Sequence, residues 1–373
     1  MNLFRFAVAF NGFIVISVVI YYFFPLEWRQ NKWINRFLLA YHVIGMLSLE
    51  MTFLVYKDIP YRWLQKVSTV TSTFYYVPLM LMGILFVSGW VIGKVYVRLT
   101  KHPHKAPAII PERRRRVLSV ITAAYLITAV GFFRFQKLHR MEYDVDLPSY
   151  NAKEPLDICL ISDIHAGSGN RDALYDEILQ MTKNESPDLI LIDGDIFDET
   201  TGKADIEKVC GMLGEMQAPL GMYFTYGNHD DPSSAYMLEQ LEKTGAVYLR
   251  DEVVRLNDDL VLVGRKDDGE ADRASCSELI TTADVRTDDT VLVLQHRPTE
   301  FQTLSEAGAD LVVAGHTHGF NIPMIAAVYW NADLVYGRET YGDMTAVVTS
   351  GVSGWGFSYK LPAINEVVMI HMH

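Results

Sequence analysis

Leu156–His165 reads LDICLISDIH, an apolar run of strand length that stops at a carboxylate and an imidazole two residues apart. Four later stretches repeat the design: LILID runs into Asp193-Gly194-Asp195, GMYFTYG into Asn228-His229-Asp230, VLVLQ into His296, and DLVVAG into His316-Thr317-His318. Each polar cluster directly follows an apolar run, at the carboxyl end of a strand, where open α/β sheets gather their ligand sites. In extended backbone the i, i+2 pairs Asp163/His165 and His316/His318 are expected to project to one side. Glycines at 194, 227, 315 and 319 flank these residues and permit tight turns or close backbone approach.

Amphipathic stretches near Arg171–Lys183 and Asp205–Met216 separate the first of these strands. That βαβ rhythm predicts a sheet covered by helices. Beyond about Lys243 the chain turns strand-rich, with VYLRDEVVRL, LVLVG, TVLVLQH, AVVTSG and EVVMIHM. Residues 155–373 therefore read as an α/β domain. The preceding 141–154, polar and proline-punctuated, reads as a linker with an entering edge strand.

Upstream the composition reverses. The 373-residue chain is half apolar with a net charge of −12, but residues 1–140 hold 18 Lys and Arg against 4 Asp and Glu, and residues 141–373 hold 15 against 41. This excludes a disordered or collagenous protein. Three cysteines with no close pair exclude a disulfide scaffold or a cysteine-ligated zinc ribbon. The strongly acidic second half is expected to repel nucleic acid.

Four stretches approach the roughly 20 apolar residues a bilayer requires: Leu3–Phe24, Arg36–Tyr56, Phe74–Val97 and Val117–Phe133. Trp28, Trp33, Tyr56, Tyr61 and Trp63 cluster at their ends, as interfacial aromatics do. Residues 1–140 are thus expected to be an all-α, four-span transmembrane region. The loops 25–36 and 98–116 carry 3 and 7 basic residues, against 7 in total on the other side, with four concentrated at Arg113–Arg116. The positive-inside rule puts that cluster in the cytoplasm and the acidic domain outside, the expected arrangement being a bacterial inner membrane with an extracytoplasmic catalytic domain. The RRRRVLSVITAAYLITAVGFF segment also reads either as an uncleaved twin-arginine export signal or as an ordinary stop-transfer helix. His42 and Glu50, inside the second span, are expected to be satisfied by neighbouring helices or to lie near an interface.

The strand-end inventory mixes hard oxygens with imidazoles, too many for one tetrahedral ion and suited to two ions sharing a carboxylate. Two such ions would lie about 3.5–4 Å apart and clamp the oxygens of a transferring phosphoryl group. His371 and His373, alternating in the last strand, are expected to be inert or solvent-facing. The acidic runs at 257–259, 267–268 and 288–289 are expected to be solvated turns. Cys159 is expected to be buried, and Cys210 and Cys276 could pair only if the fold brings them together.

In this order, D-x-H, GD, GNHD, a lone His after an apolar strand, and GHTH resemble the calcineurin-like metallophosphoesterases. The SDIHxG opening, the GHTHG block and the late SGVSGWGFSYKL segment are similar to the bacterial YaeI/YkuE-type enzymes, whose membrane-spanning relatives are described as transmembrane proteins with a metallophosphoesterase domain. The resemblance implies a four-layer αββα sandwich and two divalent ions (Mn, Fe or Zn). One ion would be held by Asp163, His165, Asp195 and His318, the other by Asp195, Asn228, His296 and His316. It implies that His229 faces the phosphoryl group, with Asp198 orienting it and Asp230 either a rival for that role or a loop cap. Two departures stand out: the family's GHTHGGQ is Gly319-Phe320-Asn321 at its end here, and its late Arg is Lys360, which weakens a bidentate phosphate clamp. Purple acid phosphatases carry a Tyr ligand where this chain has Asp198, which argues against that branch.

The function expected from the sequence is a membrane-anchored dinuclear-metal phosphoesterase acting on a phosphoester or phosphodiester, soluble or lipid-linked, by in-line attack of hydroxide activated by the metals. An alternative is a UDP-diacylglucosamine pyrophosphate hydrolase of lipid A synthesis, which conflicts with the expected topology. A non-enzymatic metal-loaded sensor or scaffold would require damaged ligands, and all seven candidate ligands are present.

Overall fold

The computed structural model describes residues 14–53, 61–100, 113–150, 155–167, 170–171, 173–283, 285–319, 321 and 331–373. It divides into two compact units: residues 1–52 with 63–132, and residues 53–62 with 133–373.

The first unit is helical: α1 (Ile14–Phe23), α2 (Leu26–Gln30), α3 (Lys32–Phe53), α4 (Arg62–Thr100) and α5 (Arg113–Phe135). Among the described residues only α4 and α5 are long and apolar enough to cross a membrane, so the expected four spans reduce to two candidates. Half of the first span and the end of the second lie outside the described residues. Within α3, Lys32, Arg36 and Glu50 dilute the apolar run. At 39 residues α4 is about 58 Å long, nearly twice a hydrocarbon core.

Large apolar side chains such as Phe37, Ile92 and Leu99 face outward, a surface suited to lipid rather than water. Inside, hydroxyls join α3 to α4. Thr52 and Ser68 share a 2.9 Å hydrogen bond, and Ser68 Oγ donates to the Ser48 carbonyl at 3.0 Å. His42 Nδ1 and the Tyr75 hydroxyl share one at 3.3 Å, so a neighbouring helix satisfies this imidazole. Glu50 is exposed, three residues from the end of α3.

In the second unit, two six-stranded mixed sheets face one another. The strands of the first are β1 (Leu138–Val145), β2 (Leu156–Ser162), β3 (Leu189–Asp193), β4 (Met222–Thr225), β5 (Val247–Tyr248) and β12 (Asn365–Met372), in the order β1-β12-β2-β3-β4-β5. The second holds β6 (Glu252–Arg255), β7 (Leu260–Gly264), β8 (Thr290–Leu294), β9 (Leu311–Ala314), β10 (Gly337–Tyr341) and β11 (Met344–Val348), in the order β10-β11-β9-β8-β7-β6.

Three apolar cores set four layers. Leu160, Leu191, Leu262 and Leu292 pack between the sheets. On the outer face of the first sheet, Ile161, Ile192 and Phe224 meet α6 (Leu174–Glu185), α7 (Lys203–Gly214) and α8 (Ala235–Glu242) through Ile178, Val209 and Leu241. On the outer face of the second, Val293 and Val312 meet α9 (Cys276–Thr282) and α10 (Phe301–Glu306) through Cys276 and Phe301. Strands buried on both faces read as continuous apolar runs, as in LILID and LVLVG.

Three details differ from the sequence reading. The edge strand β1 begins at Leu138, so the sheet starts inside the stretch assigned to the membrane region and takes up the first part of the linker. Two of the acidic runs are only half solvated: Asp268 and Asp288 are exposed, but their neighbours are not. Asp267 is buried in a two-bond pair with Arg297 (2.7 and 3.0 Å), and Asp289 in one with Arg255 (2.8 and 2.7 Å). His371 is tied across the sheet, its Nδ1 2.6 Å from Asp157 Oδ1. All three cysteines are free thiols.

Candidate metal centre

The residues that follow β2, β3, β8 and β9 converge where both sheets end. Asp163, His165 and His318 each offer one ligating atom, and these lie within 4.8 Å of one another; Asp195, His296 and His316 form a second group within the same limit. Asp195 Oδ2 lies 3.1 Å from His296 Nε2 and 3.5 Å from His165 Nε2, and so sits between the two groups. Asn228 occupies the loop after β4 and is exposed.

The convergence does not come from an extended chain, as the i, i+2 spacing suggested. Asp163 (φ 54°), His165 (43°), Asp195 (47°), His316 (67°) and His318 (52°) all adopt left-handed backbone. Each such conformation costs a non-glycine residue roughly 1–2 kcal/mol. Strain of this kind persists where the surroundings enforce it, and it concentrates at functional sites. Glycines supply the clearance: a Cβ on Gly227 would stand 2.3 Å from Asp195 Oδ1, and one on Gly315 2.4 Å from Asp163 Oδ2.

A hydrogen bond at His296 and the placement of carboxylates around His165 set which ring nitrogens face the cluster. His296 Nδ1 donates to the Asp193 carbonyl at 2.8 Å, leaving Nε2 toward Asp195. His165 Nδ1 faces Asp198 Oδ2 at 3.6 Å, leaving Nε2 toward Asp163 and Asp195. Asp163 Oδ2 accepts from Ser162 Oγ (2.6 Å) and the His316 amide (3.1 Å), which leaves Oδ1 free. Asp163 Oδ1, His165 Nε2 and His296 Nε2 are buried without hydrogen-bond partners, and His318 Nε2 lies 3.7 Å from Asp163 Oδ1. Orphaned acceptors in an Asp/His cluster at hydrogen-bond cost are what a divalent cation would satisfy, so the residues present fit a metal.

Electrostatics divide the four imidazoles: the carboxylates raise His165 and, through Asp195, Asp163 and Asp193, also His296, whereas His316 and His318 are lowered. Burial, reinforced by His296, pushes the His316 pKa down to about 3, and burial with Lys360 and His165 holds His318 well below its usual value despite Asp163. Both rings therefore stay neutral with a lone pair to offer. Burial alone would lower His165, but Asp163, Asp198 and Asp195 outweigh it and push it up to about 10. Asp163 and Asp195 are held well below the carboxylate range by surrounding imidazoles, against the desolvation that opposes this. Burial drives the nearby Asp193 up to about 8.

His229 lies beside this cluster, its ring centroid 5.2 Å from that of His165 and its amide donating to Asp195 Oδ1 at 2.8 Å. Asp198 is turned elsewhere: its Oδ1 accepts from Thr200 N (2.7 Å) and Thr200 Oγ1 (2.6 Å), while Oδ2 faces His165. The carboxylate at His229 is that of Glu199, with Oε2 3.3 Å from Nδ1. Asp230 acts as a loop cap, accepting from Gly227 N at 2.8 Å and Phe197 N at 2.9 Å. Lys360 is fully buried and donates to the carbonyls of Ser350, Gly351 (3.4 Å) and Ser353, so its ammonium binds its own loop. Asn321 is buried and donates to the Tyr359 carbonyl at 3.1 Å, whereas Phe320 lies outside the described residues.

Sequence reasoning passed over Glu199 and gave no role to Trp355 or to Asp193, which it placed in a strand-end cluster. Glu199 adjoins Asp198 in DET, and nothing in that spacing separates the two carboxylates. Trp355 lies in the SGVSGWGFSYKL segment, where its resemblance was noted without a role.

Residues 156–320 match the family model described as calcineurin-like phosphoesterase. An uncharacterized metallophosphoesterase of Aquifex aeolicus is 30% identical over 54% of this chain and 76% of its own length. One from Campylobacter jejuni is 28% identical over 61% of this chain, and the match spans 62% of that protein, just under two thirds. A zebrafish (Danio rerio) protein named transmembrane protein with metallophosphoesterase domain is 26% identical over 91% of this chain and 80% of its own length, a match that includes the helical unit. The chain belongs to the calcineurin-like metallophosphoesterases, a family of metal-dependent phosphoric ester hydrolases.

Proposed function

We propose that this protein is a membrane-anchored phosphoesterase that hydrolyses a phosphoester or phosphodiester with two divalent ions. Asp163, His165, Asp195 and His318 would hold one ion, and Asp195, Asn228, His296 and His316 the other. The observation that carries this reading is the pair of Asp/His groups, each within 4.8 Å, meeting at Asp195. Mn, Fe or Zn bound there supplies Lewis acidity toward the phosphoryl oxygens and lowers the pKa of water.

The chain's own residues do the rest. Asp195 is the shared ligand, and its Oδ1 also fixes the His229 loop through the 2.8 Å bond from the His229 amide. Asp195 and Glu199 outweigh burial and raise the His229 pKa, which favours an imidazolium that neutralises phosphoryl charge and hands a proton to the leaving oxygen. The Asp193 carbonyl holds His296 from behind through a hydrogen bond, as partners of metal-bound histidines do, while the Asp198 carboxylate faces His165 Nδ1 at 3.6 Å. The two candidate membrane helices and the zebrafish relative support anchoring at a bilayer, which favours a phospholipid, glycolipid phosphate or similar substrate at its surface.

Purified full-length protein in detergent is expected to carry two equivalents of transition metal and to hydrolyse 4-nitrophenyl phosphate or bis(4-nitrophenyl) phosphate. Chelation should remove both properties and Mn²⁺ should restore them. A chain that binds none of the three metals and turns over neither ester would end the reading. Sidedness has its own test. A compartment-sensitive reporter fused after His373 is expected to signal outside the cytoplasm, and an inside signal would overturn the charge-based orientation.

A further inference from the structure

We infer that Glu199 and Trp355 form a positioning pair that locks the imidazole of His229 for its work at the metal centre. The inference rests on the phosphoesterase reading above and adds two residues to it.

His229 sits on the loop after β4, where only its backbone amide is fixed by Asp195. Its ring could still turn about the Cβ–Cγ bond and exchange the two nitrogens. Glu199 prevents this. A carboxylate accepts and does not donate, so the 3.3 Å contact with Oε2 requires the hydrogen on Nδ1 and leaves Nε2 as the working nitrogen. Glu199 is itself held, because the Trp355 indole Nε1 donates to the same Oε2 at 3.2 Å. The Trp355 ring also covers His229, with centroids 5.1 Å apart and planes at 36°, while the His165 ring stands at 73° to it, 5.2 Å away. The imidazole is thus gripped at one nitrogen and packed against two rings, yet its side chain keeps 18% exposure for access.

Trp355 can serve because its loop is tied down at several points. The Val352 amide donates to the Ser162 carbonyl at 2.9 Å and the Ser350 amide to Glu366 Oε1 at 3.0 Å, while Lys360 collects three carbonyls of the same loop. Glu199 follows β3 of one sheet, and Trp355 follows β11 of the other. The pair therefore holds His229 between loops of both sheets.

The test compares two esters that differ only in leaving group, using the full chain in detergent with Mn²⁺. 4-Nitrophenolate departs without a proton, whereas phenolate needs one. Glu199→Gln and Trp355→Phe are each expected to lower kcat on the phenyl ester by on the order of 10²-fold. Turnover of the 4-nitrophenyl ester should fall far less, through weaker neutralisation of phosphoryl charge alone, while KM for both esters and bound metal should stay close to wild type. Trp355→Phe keeps a ring over His229 and removes only the indole donor, so it isolates the hydrogen bond from packing. An equal loss on both esters, a loss of metal, or no change in either variant would overturn the positioning role. A wild-type chain that hydrolyses neither ester is a separate result, which removes the phosphoesterase reading itself and this pair's role with it.

Discussion

Asp195→Asn is expected to lower kcat/KM by roughly a thousandfold or more, equivalent to about 4 kcal/mol of lost transition-state stabilisation. The substitution keeps the shape of the side chain and removes its charge. Among the described residues, Asp195 is the one carboxylate placed between the two ligand groups, with Oδ2 3.1 Å from His296 Nε2 and 3.5 Å from His165 Nε2. An amide there presents either an NH₂ that repels a cation or a single neutral oxygen, so both ion positions weaken together. The same change reaches His229, whose amide relies on Oδ1. The discriminating readout is thermal. A ligand at 100 times its Kd stabilises a fold by about 2.7 kcal/mol, so wild-type protein should melt well above its chelated form when Mn²⁺ is added. Asp195→Asn should lose most of that increment. A variant that keeps both the metal-induced shift and wild-type turnover would show that Asp195 is not the shared ligand.

The parts of this site legible in the sequence are those fixed by a single strand and the residue after it. LDICLIS, LILID and DLVVAG are buried on both faces, and a run that ends abruptly in Asp or His marks where the strand leaves the core. What periodicity could not give is how the chain turns there. The i, i+2 pairs suggest extended geometry, but Asp163, His165, His316 and His318 adopt left-handed backbone instead. Contacts between distant segments were equally hidden. Choosing Glu199 over Asp198 depends on which side chain meets Trp355 from a loop more than 150 residues away. Short amphipathic elements were also missed. The helix α9 opens on a capping box in which Ser275 and Glu278 exchange hydrogen bonds, a legible signal, but its seven residues are too few for periodicity to register. In the helical unit, among the described residues, α4 and α5 keep their charges near their ends, whereas Arg36 and Glu50 leave α3 a shorter uncharged apolar run.

Lys360 separates a structural from a substrate-binding role most sharply. Its ammonium is fully buried, bonded to the carbonyls of Ser350, Gly351 and Ser353, and it faces the charges of Asp163 and Glu366. Burial pushes its pKa down to about 8, while those two carboxylates pull the other way. Lys360→Met leaves three carbonyls unsatisfied and two buried acids without a compensating cation. Removing one partner from a buried charge cluster costs about 3–5 kcal/mol, so the melting temperature is expected to fall by roughly 10 °C. KM of the folded fraction should change little. A phosphate clamp makes the opposite forecast, in which KM rises and stability holds. Lys360→Arg sharpens the contrast. The planar guanidinium suits bidentate phosphate contact but not a pocket of carbonyls converging on one point. Arginine is therefore expected to destabilise the domain as well, without lowering KM. If Lys360→Arg instead kept the wild-type melting temperature and tightened substrate binding, the side chain would have to reach the phosphoryl group, and the buried, loop-stapling geometry would not describe the working enzyme.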